Sequence, residues 1–297
     1  RVVVYNNYNA NFSFYQSQNG AVTMSLPTHA IMDSSARLIV LDSHSRILKF
    51  NSILNNTTLF SEYGTLRTST AQFSNPQSVS VDGFNGDVYV TDSFNHRIMK
   101  YDSADNLTAT YGGIGGPRGY GTALNYFHYP KQTAVDALGS LYVADYANAR
   151  VVAKGILSPT FQLVTPVGGV VLPWGVAVDS AGGRLFVSDW YDDSIRVFSA
   201  GVLLYTFGGS GTANGKFNKP ADMKIGTYQG QTALYVADVG NNRVQIFSLS
   251  GIYLGQLGQP TIDPLEHYDA SKAAGGMLLP YGVAITPEGN VIVSDTS

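Results

Sequence analysis

Cysteine is absent from the 297-residue chain, which excludes disulfides, thiolate metal sites and a cysteine nucleophile. Charge is scarce as well: 13% of residues are charged, roughly half the usual quarter. Glutamate occurs only at Glu62, Glu266 and Glu288. The 18 Lys and Arg are outweighed by 21 Asp and Glu and form no basic run, so nucleic acid is not expected as a partner. No apolar run approaches the ~18 residues of a spanning helix, so no membrane insertion is expected. No secretory leader is visible. The chain opens with Arg1 inside a strand-like run, so residues 1–297 are read as one domain that can be a segment of a longer protein. A 44% hydrophobic content is enough for a core and excludes disorder.

What is present is a repeat. Pro27, Pro76, Pro130, Pro173, Pro220 and Pro280 recur about every 50 residues, a period found in propeller and solenoid arrays. Each opens an alternating apolar strand, and a second strand follows that ends in Asp42, Asp92, Asp145, Asp189, Asp238 or Asp295. A turn and a third strand come next, as in Asn95-His96-Arg97-Ile98 and Asn241-Asn242-Arg243-Val244, and then a fourth apolar stretch such as Leu203 to Gly208. Period-2 alternation with Gly, Asn and Asp turns makes each unit a four-stranded antiparallel sheet. One such sheet cannot bury both faces; six packed radially can.

The ends of the chain complement each other. Val2 to Tyr5 reads as a third strand with no first or second before it, and 11–16 as the fourth. Tyr281 to Asp295 supplies a first and second strand with no third after them. The sixth unit is therefore expected to be composite, removing a pair of exposed sheet edges. Closure within one chain is the simple reading. Donation of strand 1–5 to a neighbour, giving a head-to-tail fibre or surface layer, is the alternative.

The Pro, Asp and turn-Arg pattern resembles the NHL repeat family over nearly the whole chain. The resemblance implies an all-β, six-bladed β-propeller of four-stranded antiparallel blades. It leaves function open, because one propeller hosts many activities. It also implies that the residue after each repeat proline sits at the central mouth: Thr28, Gln77, Lys131, Trp174, Ala221 and Tyr281. Peptidyl-hydroxyglycine lyases resemble NHL propellers whose zinc is held by histidines at three such positions, where neutral imidazoles leave zinc an open site. None of the six is His here, and His96 reads as a turn residue. A calcium-dependent hydrolase of the six-bladed type would need converging carboxylates, and the mouth ring has none. Asp222, two past Pro220, should point away from the mouth on strand alternation, or else mark a departure from a small apolar residue. No cofactor and no catalytic residue are assigned; a metal-dependent enzyme of either kind remains the alternative.

The recurring aspartates read as structural acceptors for turn N–H groups. Arg46, Arg97, Arg150 and Arg243 follow them by four or five residues and are expected to pair with acids between blades. Unit four departs: Ser194 holds the Arg position, Arg196 comes two later, and the turn becomes Trp190-Tyr191-Asp192-Asp193. Aromatic faces beside carboxylates suit a sugar or peptide ligand. With Gln77, Phe94, Lys131, Tyr146, Trp174 and Tyr281 they form the expected binding face. Sequons at Asn11, Asn55, Asn56 and Asn106 all fall in third-to-fourth-strand hairpins, on the opposite face. These features are read as a non-catalytic, glycosylated, extracellular or cell-surface propeller. Its expected ligand is a protein, a glycan or other copies of itself.

Overall fold

The computed structural model describes residues 2–5, 27–33, 35–50, 59–63, 73–113, 120–258, 277–286 and 288–295. Among these, strands form six antiparallel sheets arranged as a β-propeller, five of four strands and one of three. Blade one comprises Pro27–Met32, Leu38–Asp42, Arg46–Phe50 and Leu59–Tyr63, and blade two Pro76–Val81, Val88–Asp92, Arg97–Tyr101 and Leu107–Gly112. Blade three runs Thr133–Val135, Leu141–Asp145, Arg150–Lys154 and Gln162–Leu163. Blade four is Pro173–Asp179, Arg184–Asp189, Ser194–Ser199 and Val202–Gly208; blade five is Pro220–Tyr228, Gln231–Asp238, Arg243–Ser248 and Tyr253–Leu257. No helix among the described residues is long and apolar enough to cross a membrane.

The sixth blade is composite. Val2–Tyr5 pairs antiparallel with Val291–Asp295, from Val2 opposite Ser294 to Tyr5 opposite Val291, and Pro280–Ile285 completes the described sheet. The strand that polymerisation would donate is thus bound in its own chain's sheet. The fourth strand expected at 11–16 lies outside the described residues.

Alternation explains how this blade closes the ring. Val2 and Val4 pack with Ala30, Leu38 and Leu48 of blade one, while Val3 and Tyr5 pack with Tyr235, Val244 and Ile246 of blade five. Successive strand residues point to opposite faces, so one short run fills both wedges. The same two-sided burial recurs between every neighbouring pair of blades.

Each terminal Asp is fully buried and works as a clamp. Asp92 accepts from Ser74 N at 2.6 Å, Asn95 Nδ2 at 2.8 Å and Arg97 Nε at 2.7 Å. Asp145 repeats the pattern with His128 N, Asn148 Nδ2 and Arg150 Nε, and Asp238 with Asn218 N, Asn241 Nδ2 and Arg243 Nε. The arginines therefore pair with the acid of their own blade, Arg46 with Asp42 included, and not with acids between blades. The reason is register: Asp92 lies directly opposite Arg97, and Asp145 opposite Arg150. Burial is the largest influence on Asp92, Asp145 and Asp238 and raises their carboxyls, against the donors that lower them. His96 is a turn residue, with φ of 54° at the end of its turn.

Candidate binding site at the propeller mouth

Five of the six first strands carry a register shift directly after the repeat proline: Pro27 faces Asp42 but His29 faces Leu41, and blades two, four, five and six shift likewise. Such a bulge breaks the two-residue alternation. Both residues after the proline line the mouth in blades one, two and three, and one of the two does in blades four, five and six. Thr28, His29, Gln77, Ser78, Lys131, Gln132, Trp174, Asp222 and Tyr281 line one cavity of about 200 Å3. Five of the six residues expected at the mouth are therefore brought together. Ala221 is fully buried and does not line the cavity.

The floor comes from the second residue of each pair. Asp222 points into the mouth, so of the two readings the departure from a small apolar residue holds. Its Oδ2 meets His29 Nε2 at 2.8 Å and accepts Val283 N at 2.7 Å, while Gln132 Nε2 donates to Oδ1. Gln132 Oε1 accepts Val176 N at 2.6 Å, and His29 Nδ1 accepts Val79 N at 3.4 Å. Both ring nitrogens of His29 are thus engaged. Blades one, three, four, five and six, and the first strand of blade two, are tied by one buried polar network. At Gly175 the backbones come too close for a side chain: a Cβ would lie 2.2 Å from Ala221 O.

Aromatic rings make the wall. Trp174 and Trp190 stack with centroids 4.2 Å apart, and Tyr281 lies 5.9 Å from Trp174 and 6.5 Å from Trp190. Tyr146 meets Trp174 edge-on at 5.9 Å. Lys131 Nζ sits 4.4 Å from the Trp174 ring and 5.2 Å from that of Tyr146. No carboxylate is within ion-pair reach of it among the described residues. Burial without a counter-charge brings its amine down to about 8. Burial also raises the phenols of Tyr281 and Tyr146.

The other expected site residues fall outside this cup. Tyr191 is exposed on the unit-four turn. Asp192 pairs with Arg196, and buried Asp193 accepts Lys219 N at 2.8 Å and Ser210 Oγ at 2.6 Å, so these two carboxylates hold the turn. Phe94 belongs to a neighbouring cluster, 5.5 Å from Tyr129, which in turn meets His96 edge-on and stacks with His128. Missed in the sequence were His29 and Gln132, while Asp222 was left between two readings. Register shifts accompany His29 and Asp222 at the mouth, and Gln132 joins them from blade three, whose described pairing shows none. A larger groove of about 450 Å3 lies between blades three and four, by Leu138, Val164 and Phe198. The charged pair there, Asp179 and Arg184, is already closed at 2.7 Å.

Residues 73–101, which span the first three strands of blade two, match the family model of the NHL repeat. The chain carries an NHL repeat. No curated protein matches this chain in sequence. Among solved structures it is similar to a streptogramin B lyase, with a TM-score of 0.62, 13% identity and coverage of 99% of this chain and 95% of that one. A chain of a nidogen/laminin complex gives 0.60 at 13% identity, covering 86% and 92%. A virginiamycin B lyase from Staphylococcus aureus gives 0.59 at 14%, covering 96% and 78%. At such identities the likeness is one of fold; it joins proteins of different function.

Proposed function

We propose that this NHL propeller is a non-catalytic binding module of the extracellular space or cell surface, which takes its ligand at the aromatic mouth. The observation that carries the reading is the contiguous group Trp190, Trp174, Tyr281 and Lys131 at the point where the blades converge. Half-buried rings around a concave site offer apolar area with a polar edge, as binding surfaces do. The floor supports the same reading, because its His and Asp already engage one another and neighbouring amides. A general base needs a nitrogen or oxygen within reach of a substrate proton.

Both tryptophans of the chain stand in this group, so indole fluorescence reports directly on the mouth. Arrays of oligosaccharides and of short peptides, probed with the purified propeller, should give saturable binding that Trp174→Ala abolishes. Binding indifferent to Trp174→Ala, or stoichiometric zinc or calcium held through His29 or Asp222, would overturn the reading.

The extracellular part rests on the sequons. Asn106 is exposed in the hairpin before Leu107–Gly112, where its side chain bonds Asp102 at 3.1 Å. Asn11, Asn55 and Asn56 lie outside the described residues. Produced in a glycosylating host, the mature chain should be heavier than its sequence mass, and Asn106→Gln should lower it by one glycan. An intact mass equal to the sequence mass ends that part of the proposal.

A further inference from the structure

The cup combines features that call for a particular ligand chemistry. Its volume of about 200 Å3 is below the ~300–1,000 Å3 of sites for drug-sized molecules, so it takes a single ring-sized unit. Its only cation, among the lining residues, has rings for neighbours and no counter-ion. An enclosed ammonium without a partner is costly, and a ligand anion supplies what the protein leaves out. The remaining groups on the wall are neutral. Gln77 donates through Nε2 to Asn75 Oδ1 at 2.9 Å, which leaves its carbonyl oxygen to accept. Tyr281 contributes a phenol that burial keeps protonated. Asp222, the one carboxylate below, is held by His29, Gln132 and Val283.

We infer that the mouth is a subsite for an acidic monosaccharide unit, such as a uronic acid, whose carboxylate pairs with Lys131 while Trp174 and Tyr281 pack against the sugar. Gln77 and Tyr281 then meet ring hydroxyls. A sugar fits better than an acidic peptide side chain because the cup offers flat apolar walls and neutral hydrogen-bonding groups around one charge. The inference rests on the mouth-face reading and narrows its ligand class.

The test is titration of tryptophan fluorescence with sodium glucuronate, glucose and a Gly-Glu-Gly peptide at constant ionic strength. Glucuronate should bind at least tenfold more tightly than glucose or the peptide. Lys131→Met should remove that preference while the unfolding transition stays cooperative. The wild-type preference should also weaken as pH rises past about 8, where Lys131 loses its proton. The other titratable groups sharing the cup are Tyr146 and Tyr281, both raised by burial, and the His29–Asp222 pair. That pH arm reads the same contact without any substitution. Equal binding of glucose and glucuronate, or a preference that survives Lys131→Met, overturns the inference. A better response to the peptide overturns it too and assigns the lysine to an acidic peptide. In each of these outcomes Trp174-dependent binding can persist, so the failure is distinct from failure of the mouth-face reading.

Discussion

Blades four and five close the same turn by different means. In blade five, Asp238 Oδ2 accepts Asn241 Nδ2 at 2.9 Å, Arg243 Nε at 2.8 Å and Gln245 Nε2 at 2.9 Å. Arg243 goes on to Ala213 O and Lys216 O, both at 2.9 Å, and is almost wholly buried. In blade four Ser194 faces Asp189 where the arginine belongs, and Arg196 reaches that acid from two residues further at 3.4 Å. Ser194 Oγ and Arg196 Nε are buried without a hydrogen-bond partner. The turn that lost its clamp is the one that supplies Trp190 to the stack with Trp174. Tyr146 follows the clamp acid Asp145 of blade three, where the arginine is kept, and also meets Trp174, so the mouth takes side chains from a turn that keeps the clamp as well as from the one that lacks it.

The comparison breaks if the two arginines turn out equal. Arg243→Met leaves Asp238 buried without its charge partner, an uncompensated charge that costs about 3–5 kcal/mol. Arg196→Met removes one bond to Gly169 O at 3.1 Å, a partly exposed pair with Asp192 and the longer 3.4 Å pairing with Asp189, whose carboxylate keeps the amides of Val171 and Leu172, a loss of about 1–2 kcal/mol. Urea unfolding of both variants measures the difference. A cost for Arg196→Met matching that of Arg243→Met would mean that blade four has not given up its clamp.

The clamps were legible in the sequence because they repeat, and so was the composite blade, since a run like Val2–Tyr5 needs partners on two faces. The arginine's partner was misread because spacing along the chain does not state register. Asp sits opposite Arg across a two-stranded turn, and only the pairing puts them in one blade. His29 was hidden for a related reason, and Asp222 was left between two readings for the same one. Alternation assigns the second residue after proline to the other face, and the bulge that overrides it leaves no residue signature, since Thr28, Gln77 and Tyr281 occupy the bulged position equally well. The mouth ring itself was legible from the prolines, but the size of the cup and the lack of a counter-ion at Lys131 were not. Both depend on what neighbouring blades do not provide.

Lys131 sharpens the contrast, because it should destabilise where the clamps stabilise. Its amine is lowered to about 8 in the fold, against roughly 10.4 in an unfolded chain. Between those values the unfolded chain holds the proton and the folded one does not, so stability rises with pH across the interval. Below it both states are protonated and the full desolvation cost is present. Lys131→Met should therefore be more stable than wild type at pH 7, by about 1–2 kcal/mol once partial solvent exposure and the lost cation–π contacts of about 1 kcal/mol are allowed for. The gap should close as pH approaches 10, while the phenols of Tyr146 and Tyr281 stay protonated. Unfolding of the two proteins in urea at pH 7, 8.5 and 10 measures it. If Lys131→Met is instead less stable at every pH, the lysine is a structural member of the wall like Arg243, and the cup is no longer a place where the fold gives up stability for binding.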